Sequence, residues 1–422
     1  EAASDDQSDT ASEAPTTSTA EHEHEPFDTF KDKVAQLAVQ LFPKHNTQDI
    51  RITRIRGGTF NRVVGITVTK RLRKLTSWKQ FLCGLHNLLG EGRWISITEE
   101  QYILRIPRSE GHAMDFDVAI LQFVGKHLDI PVPRIISYDL STDNVIGQAY
   151  MLQPRLRGQN LSLIYSSLNT AQKKSIVPQV TQLVMTTAAV TSHAAGRPSR
   201  NQDLDNPQIE IEKFEVPRRG QDLCGLGKPS TWVADAQTPL DFILEQCERW
   251  REYQQVSNGN SIDRIWKGFR TIAHGLQELG FLEPDTFRLC HGDLQPYNLL
   301  VEVRDEENVD ITAVLDWDSA VFAPSFLAYK APFWAWLPED CASDEEDDEN
   351  YANFEPQTEE DKLMKDVFMQ YARAEYIKYA FAPEAIIARK MFGAIKDCFF
   401  TSWEFDNAYA VIEGWKALHP SD

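Results

Sequence analysis

Apolar side chains first recur at helical spacing just after the N-terminal segment. Phe27, Phe30, Val34, Leu37 and Leu41 fall three or four positions apart, which places them on one face of a helix. The proline that follows two residues later cannot continue this helix, because it has no backbone N–H and its ring crowds the preceding turn. The spacing therefore predicts a first helix with one apolar face.

Strand patterns follow this helix. Apolar and β-branched residues over 50–56 and 62–69 flank a Gly-Gly turn, a combination that predicts a hairpin. Another strand is predicted over 102–106, then a helix over 114–127 and a strand through 149–152.

Residues 70–100 are predicted to form a helical insertion between two of these strands. Trp78, Phe81, Leu82 and Leu85 mark an apolar face, and basic residues precede it. This face either packs onto the parent sheet or docks a partner.

Helical patterns dominate the second half of the chain. A helix is predicted over 170–190, bent or restarted at Pro178, because an interior proline removes a helical hydrogen bond. Thr238 and Ser261 are predicted to cap two further helices. Short strands and a final helical stretch complete the pattern, over 287–290, 299–303, 311–315 and from Lys362 onward.

These patterns divide the chain into two lobes. Residues 26–153 are predicted to form a small antiparallel-sheet lobe, and residues 154–422 a larger, mainly helical lobe. Strands and helices that are segregated in this way indicate an α+β fold.

The charge of the chain is concentrated in two segments. The 43 basic and 63 acidic residues give a net charge of −20. Residues 1–25 and 339–361 hold twenty of the acids and no Lys or Arg, so the rest is formally neutral. We predict a disordered acidic tail over 1–25 and a low-complexity acidic insertion over 339–361. The acidic balance disfavours nucleic acid or an anionic membrane as a partner.

Composition also indicates the compartment. The six cysteines are scattered, without a Cys-x-x-Cys pair, which favours reduced thiols and an intracellular protein. The sequence contains no run of about 18 apolar residues, so no membrane-spanning helix is predicted. The cytoplasm is the favoured compartment, and a mitochondrial location stays open because the sequence begins at Glu1 rather than Met.

One polar loop carries the strongest chemical signal. His291, Asp293 and Asn298 lie between two predicted strands, and Asp316 and Asp318 follow the next strand. Phosphoryl transfer needs a carboxylate at the acceptor hydroxyl, oxygen ligands for Mg²⁺ and positive charge on the phosphates. Asp293 supplies the first, and Asn298 with Asp316 supplies the second. A hairpin between them explains how residues distant in sequence converge.

These motifs, His-Gly-Asp-Leu with Asn298 and Asp-Trp-Asp over 316–318, resemble the aminoglycoside phosphotransferase and choline kinase-like family, in a fungal-type form. The resemblance implies a bilobal protein-kinase-like fold with ATP and Mg²⁺ as cofactors. It implies that Asp293 orients and deprotonates the acceptor, with Asn298 and Asp316 as metal ligands. His291 would fix the loop backbone, unless it is simply a satisfied core residue. Asp318 is either a second-metal ligand or a structural hydrogen-bond acceptor.

The resemblance also places nucleotide-binding residues in the small lobe. The hairpin turn Gly57-Gly58-Thr59 would fold over the phosphates through its backbone N–H groups, although such a turn is common in any hairpin. Arg105 stands where kinases place a phosphate-binding lysine. Its implied partner is Asp117, with Asp115 as second choice. The backbone groups of Gln153 and Arg155 would read the adenine edge.

The sequence thus favours an ATP- and Mg²⁺-dependent kinase that phosphorylates a hydroxyl of a small molecule, such as an aminoglycoside-like compound or another metabolite. Protein Ser/Thr kinase activity on the same scaffold stays open. A nucleotide-binding pseudokinase or scaffold is the alternative from another class.

Overall fold

The computed structural model describes eight stretches of the chain: residues 25–55, 61–72, 96–108, 114–201, 209–216, 233–254, 260–337 and 355–420. Two compact units divide the chain. The first comprises Glu1–Met114 with Ile135–Arg155, and the second comprises Asp115–Arg134 with Leu156–Asp422. The first is built on an antiparallel sheet and the second is mainly helical, which confirms the predicted α+β class.

Within the residues that the structure describes, the first unit contains one helix and a five-stranded antiparallel sheet in the order β1-β2-β3-β5-β4. Its elements are α1 Phe27–Leu41, β1 Ile50–Arg54, β2 Asn61–Leu72, β3 Ser96–Pro107, β4 Ser137–Asp139 and β5 Tyr150–Pro154. Helix α1 buries Phe30, Val34 and Leu37 against the sheet residues Val64 and Leu104. The helical spacing recognised in the sequence is therefore the face that closes this core.

Strands β2 and β3 form a long pair, and its extent shows that the predicted bounds of the helical insertion are wrong. Their register runs without interruption from Asn61 opposite Pro107 to Leu72 opposite Ser96. Residues 70–72 and 96–100 are therefore strand rather than part of a helical insertion over 70–100. Pairing with the neighbouring strand stabilises both segments as strand, although neither shows a regular alternation of apolar and polar residues. The helix predicted around Trp78 to Leu89 lies outside the described residues.

The described residues of the second unit form the other helices and eight short strands. Its helices are α2 Met114–His127, α3 Leu161–Ile164, α4 Thr170–Ala188, α5 Pro239–Gln254, α6 Asn260–Glu278, α7 Ser325–Ala328, α8 Glu359–Tyr371, α9 Ala374–Phe381, α10 Pro383–Asp397 and α11 Ser402–Leu418. Its strands are β6 Gln159–Asn160, β7 Thr191–Ser192, β8 Arg197–Pro198, β9 Ile211–Glu212, β10 Phe287–Cys290, β11 Leu299–Val303, β12 Val309–Val314 and β13 Val321–Ala323. None of the helices that the structure describes is long and apolar enough to cross a membrane.

Helix α4 runs without interruption through Pro178, so the predicted restart there is wrong. Burial explains the continuity, because Ile176 and Val177 before the proline and Val180 after it all face the core. Apolar burial on both sides outweighs the one hydrogen bond that the proline removes.

Two predicted helix starts have different outcomes. The Thr238 hydroxyl accepts the N–H of Asp241 at 3.1 Å and caps α5, as predicted. Helix α6 already includes Asn260, so Ser261 lies within its first turn rather than at the cap.

The predicted acidic insertion ends earlier than residue 361. Helix α8 begins at Glu359, and the Thr358 hydroxyl accepts the N–H of Asp361 in a capping box. Acidic residues are favourable there because backbone N–H groups carry partial positive charge at a helix N-terminus. Glu360 also accepts hydrogen bonds from Thr170 at 2.7 Å and Lys173 at 3.2 Å. Residues 338–354, which hold most of the insertion, lie outside the described residues, as do residues 1–24 of the acidic tail.

A buried ion cluster fixes the start of α2 within the second unit. The Arg200 guanidinium donates to Asp115 at 3.2 Å and to Glu212 at 2.8 Å, and it lies 4.2 Å from the ring centre of Phe116. The Arg200 backbone N–H also donates to Glu212 at 2.8 Å. Glu212 is only 3% exposed, so its charge depends on these donors.

We expect Arg200→Met to lower the free energy of unfolding by about 3–5 kcal/mol, because it leaves a buried carboxylate without its counter-charge. Lys213→Met, which removes ion pairs to the more exposed Glu245 and Asp235, is the matched control and should cost less than about 1 kcal/mol. Urea unfolding of the three proteins measures both values. Equal losses in the two variants would contradict this role of Arg200.

Candidate active site

The candidate site begins where β10 ends. This strand lies between β13 and β7 in a three-stranded sheet, and Phe287 and Leu289 are fully buried. The predicted bounds of β10 and β11 match the structure, and the chain between them forms the polar loop of His291 to Asn298. A rigid sheet on one side and a hairpin on the other therefore hold this loop.

His291 joins the loop to the end of β12. Its ring is 5% exposed and lies 4.5 Å from the Trp317 ring, centre to centre. Nε2 lies 2.8 Å from the carbonyl oxygen of Leu315, and Nδ1 lies 3.3 Å from the backbone N of Asp293. Nδ1 must accept from that N–H, so Nε2 carries the proton and the ring is neutral. Burial lowers the pKa of His291 to about 4, which keeps it neutral.

Gly292 allows the loop to pass close to the next segment. Its φ is +82°, and a Cβ there would lie 2.4 Å from the carbonyl oxygen of Ser319. A side chain at this position would collide with backbone, so the sharp turn before Asp293 requires glycine.

Both carboxylate oxygens of Asp293 accept hydrogen bonds. The Tyr297 hydroxyl donates to Oδ1 at 2.7 Å, and the Asn298 amide donates to Oδ2 at 2.9 Å. The same Asn298 nitrogen donates to the Asp293 carbonyl oxygen at 2.8 Å. These bonds fix the position and orientation of the carboxylate.

The β11–β12 hairpin brings Asn298 and Asp316 to one end. Leu299 pairs with Val314, and the Leu315 N–H donates to the Asn298 carbonyl at 2.8 Å. Asp316 follows with φ 59° and ψ 59°, a left-handed conformation that Asp tolerates better than most residues. Trp317 is fully buried and donates from Nε1 to the Val314 carbonyl at 3.1 Å, which anchors the turn.

Asn298 and Asp316 present ligands of the type that Mg²⁺ prefers. The Asn298 amide nitrogen is committed to acceptors on Asp293, so its side-chain oxygen is the atom left for a metal. Asp316 adds a carboxylate, and hard oxygen donors suit Mg²⁺. The donor set therefore fits the metal that the sequence predicted. Asp318 lies in the single helical turn Trp317–Ser319, and both of its alternative roles stay predictions.

Asp117 and Asp115 both lie in the first turn of α2, in the second unit. Asp117 is buried, at 3% exposure, whereas Asp115 is bonded to Arg200. The assignment of Asp117 as partner of Arg105 stays a prediction.

Two predicted nucleotide-binding residues share one face of the sheet in the first unit. Arg105 pairs with Met151, and Gln153 lies two residues further along the same strand as Met151. Residues at i and i+2 of a strand point to the same side. Leu104 and Leu152, which alternate with them, face the core against α1. Arg105 and Gln153 therefore lie on the face opposite α1. Gly57, Gly58 and Thr59 lie outside the described residues.

The prediction for Arg155 needs a correction. Its backbone N–H donates to the Gln101 carbonyl at 2.8 Å and so extends the pairing of β5 with β3. A committed N–H has no hydrogen left for a base edge, so only the carbonyl oxygen keeps the predicted role.

Cys290 is the residue before this loop, and its surroundings make it structural. It is buried and donates from Sγ to the Val321 carbonyl at 3.3 Å. Burial raises the pKa of the Cys290 thiol to about 12, so little nucleophilic thiolate forms near neutral pH.

Sequence reasoning missed Tyr297 and Asn160. The Asn160 side chain donates to the Tyr297 carbonyl at 2.7 Å and thereby ties the loop to α3, whose first turn Asn160 also caps. Tyr297 stands within the recognised motif, but the motif specifies no residue type at this position, so the sequence gives no signal of the contact. Asn160 lies 137 residues away in sequence, so only the fold reveals its bond.

Fold and loop together define the class, an α+β protein with the polar loop of a phosphotransferase. Residues 90–326, more than half of the chain, match the model of the phosphotransferase enzyme family. The chain belongs to this family.

Curated relatives match over shorter or more divergent regions. A subtelomeric hrmA-associated cluster protein of Aspergillus fumigatus is 31% identical over 102 residues, which cover 24% of this chain and 20% of the relative. Altered inheritance of mitochondria protein 9, mitochondrial, of Saccharomyces cerevisiae is 23% identical over 308 residues, 57% of this chain and 48% of the relative. The chain thus spans at most about half the length of these two relatives.

Solved aminoglycoside phosphotransferases align with most of the chain at low identity. APH(4)-Ia is 15% identical with a TM-score of 0.45, covering 92% of this chain and 98% of that protein. The GDP and kanamycin complex of APH(2'')-IIIa is 12% identical with a TM-score of 0.41, covering 91% and 98%. At this level of similarity, the solved structures give no information on the substrate of this chain beyond the family match.

The buried neutral His291 should make stability depend on pH. Its pKa of about 4 in the fold lies below the 6.5 of an exposed histidine, so unfolding takes up a proton between these values. This residue's contribution is complete above pH 6.5 and is lost as the pH falls toward 4, by about 3 kcal/mol in total. We expect urea unfolding of His291→Asn to lack this component of the pH dependence. Parallel curves for the two proteins from pH 7 to 4 would contradict a buried neutral imidazole.

Proposed function

We propose that this protein transfers the γ-phosphoryl group of ATP to a hydroxyl of a small molecule in a Mg²⁺-dependent reaction. The family supplies the reaction class, phosphoryl transfer. The finer assignment rests above all on Asp293, whose carboxylate is held by Tyr297 and Asn298 beside the hairpin end that carries Asp316.

Asp293 has the geometry of a residue that orients an acceptor hydroxyl. The Asn298 amide holds Oδ2 of Asp293 and keeps the carboxylate oriented when the acceptor arrives, and positioning of this kind supplies much of phosphoryl-transfer catalysis. In this proposal Asp293 accepts the proton of the hydroxyl as its oxygen attacks phosphorus. His291 acts as a positioning residue, since a neutral ring with both nitrogens engaged has no proton to exchange with substrate.

Asn298 and Asp316 would hold Mg²⁺ together with the nucleotide phosphates. Bound Mg²⁺ neutralises phosphate charge and favours departure of ADP. Two protein ligands are typical of such a site, because Mg²⁺ takes its other ligands from phosphates and water. The hairpin register, which places both residues at one end, supports this assignment.

Arg105 and Gln153 are the described candidates for nucleotide binding in the first unit. In this proposal the Arg105 guanidinium contacts a phosphate, and backbone groups of Gln153 contact the base. The assignments of Gly57, Gly58, Thr59 and Asp117 to nucleotide binding stay predictions from the sequence.

We expect Asp293→Asn to lower kcat for phosphoryl transfer by about 10²–10⁴-fold, the usual contribution of a general base. Mg·ATP binding should change little, because Asp293 is assigned to the acceptor rather than to the nucleotide. ADP release with a panel of hydroxyl compounds, including aminated sugars, measures the first effect, and calorimetric titration measures the second.

Asp310→Asn is the matched control for this variant. Asp310 lies on β12 in an exposed ion pair with Arg304, so the same change of side chain there should leave kcat unchanged. Wild-type turnover in Asp293→Asn would contradict the assigned role. Nucleotide binding by the wild type without transfer to any acceptor would instead support a scaffold, and absence of nucleotide binding would contradict the proposed function.

A further inference from the structure

Tyr297 occupies the position at Asp293 that an acceptor hydroxyl needs. Its Oη lies 2.7 Å from Oδ1 of Asp293, and it is itself a hydroxyl that donates to this carboxylate. The other carboxylate oxygen, Oδ2, is engaged by the Asn298 amide. A carboxylate oxygen has two lone pairs, and the tyrosine hydroxyl occupies one of those of Oδ1. An acceptor that approaches Oδ1 from the same side therefore competes with the tyrosine hydroxyl.

The surroundings of Tyr297 allow this exchange. Its backbone lies in the single helical turn Pro296–Asn298, where the Asn160 side chain holds its carbonyl at 2.7 Å and the Asn298 N–H donates to Gln295 at 2.9 Å. Its side chain, in contrast, leaves the residue 47% exposed. The ring can rotate toward solvent while the backbone that positions Asn298 stays in place, because exposed side chains change rotamer rapidly.

We propose that Tyr297 is a specificity-determining residue. Its hydroxyl occupies the hydrogen-bonding position of the acceptor at Oδ1 of Asp293 and excludes water from this position until an acceptor displaces the hydroxyl. This inference rests on the proposed function. Water is the competing acceptor for any kinase: its oxygen forms a bond to the γ-phosphorus, the bond to ADP breaks, and its proton passes to the general base. A tyrosine hydroxyl bonded to the Asp293 carboxylate slows this hydrolysis of ATP, because water does not reach the general base. An acceptor that makes further contacts to the protein can displace the tyrosine hydroxyl.

A purely structural role for Tyr297 gives the opposite expectation. If the hydroxyl only orients Asp293, its removal loosens the base, and both hydrolysis and transfer become slower. If the hydroxyl covers the base, its removal opens Oδ1 to water, and hydrolysis without an acceptor becomes faster. The sign of the change in hydrolysis rate separates the two roles.

Phosphate release from Mg·ATP without an added acceptor tests the inference in the full chain. The proteins are the wild type, Tyr297→Phe, Asp293→Asn and the double variant, with Tyr371→Phe as control, since Tyr371 is 53% exposed at the end of α8. Tyr297→Phe should raise the rate about fivefold or more, the effect of one lost hydrogen bond. The increase should disappear in the double variant, and Tyr371→Phe should behave as the wild type.

A rate of phosphate release in Tyr297→Phe that is equal to or below that of the wild type would overturn the inference. The same holds if neither protein releases phosphate above background. An increase that survives in the double variant would overturn it as well, because the hydrolysis would then not use Asp293. Thermal unfolding and Mg·ATP titration of each variant accompany the assay. A wild type that binds no nucleotide contradicts the proposed function itself, whereas unchanged hydrolysis in proteins that bind nucleotide contradicts only the role of Tyr297.

Discussion

A single buried imidazole connects the parts of the candidate site. His291 bonds through Nε2 to the Leu315 carbonyl and through Nδ1 to the Asp293 N–H, so one ring fixes both the polar loop and the end of β12. These bonds need a neutral ring, and burial secures it by lowering the pKa of His291 to about 4. The orientation of Asp293 and the start of the turn at Asp316 both depend on this arrangement.

The same local geometry explains two strict backbone requirements. Gly292 has a positive φ and no room for a Cβ beside Ser319, and Asp316 has a left-handed conformation directly after β12. The left-handed conformation of Asp316 persists only where the surroundings enforce it, here through the buried Trp317 and the hairpin pairing. Residues eighteen positions apart thereby reach one end of one hairpin, which is the arrangement that a shared metal ion needs.

The sequence predicted these features unevenly, for physical reasons. Helix α1, the bounds of β10 and β11 and the two-unit α+β organisation followed from apolar periodicity, because burial is what selects those residues. The lengths of β2 and β3 did not follow from apolar periodicity, since the strand conformation of residues 70–72 and 96–100 depends on pairing with the partner strand. Arg155 shows the same limit, because strand pairing decides whether its N–H is available. The bond of Tyr297 to Asp293 and the cluster of Arg200 are side-chain contacts, for which periodicity carries no signal.

Asn298 and Asp316 are proposed to hold one metal ion together with the nucleotide. Titration of ATP with and without Mg²⁺ into the wild type and Asp316→Asn tests it most directly. We expect Mg²⁺ to strengthen ATP binding to the wild type, and Asp316→Asn to remove about tenfold or more of this gain, the size of one lost charged contact. Binding of metal-free ATP should be equal in the two proteins. An identical Mg²⁺-dependent gain in both would contradict the claim.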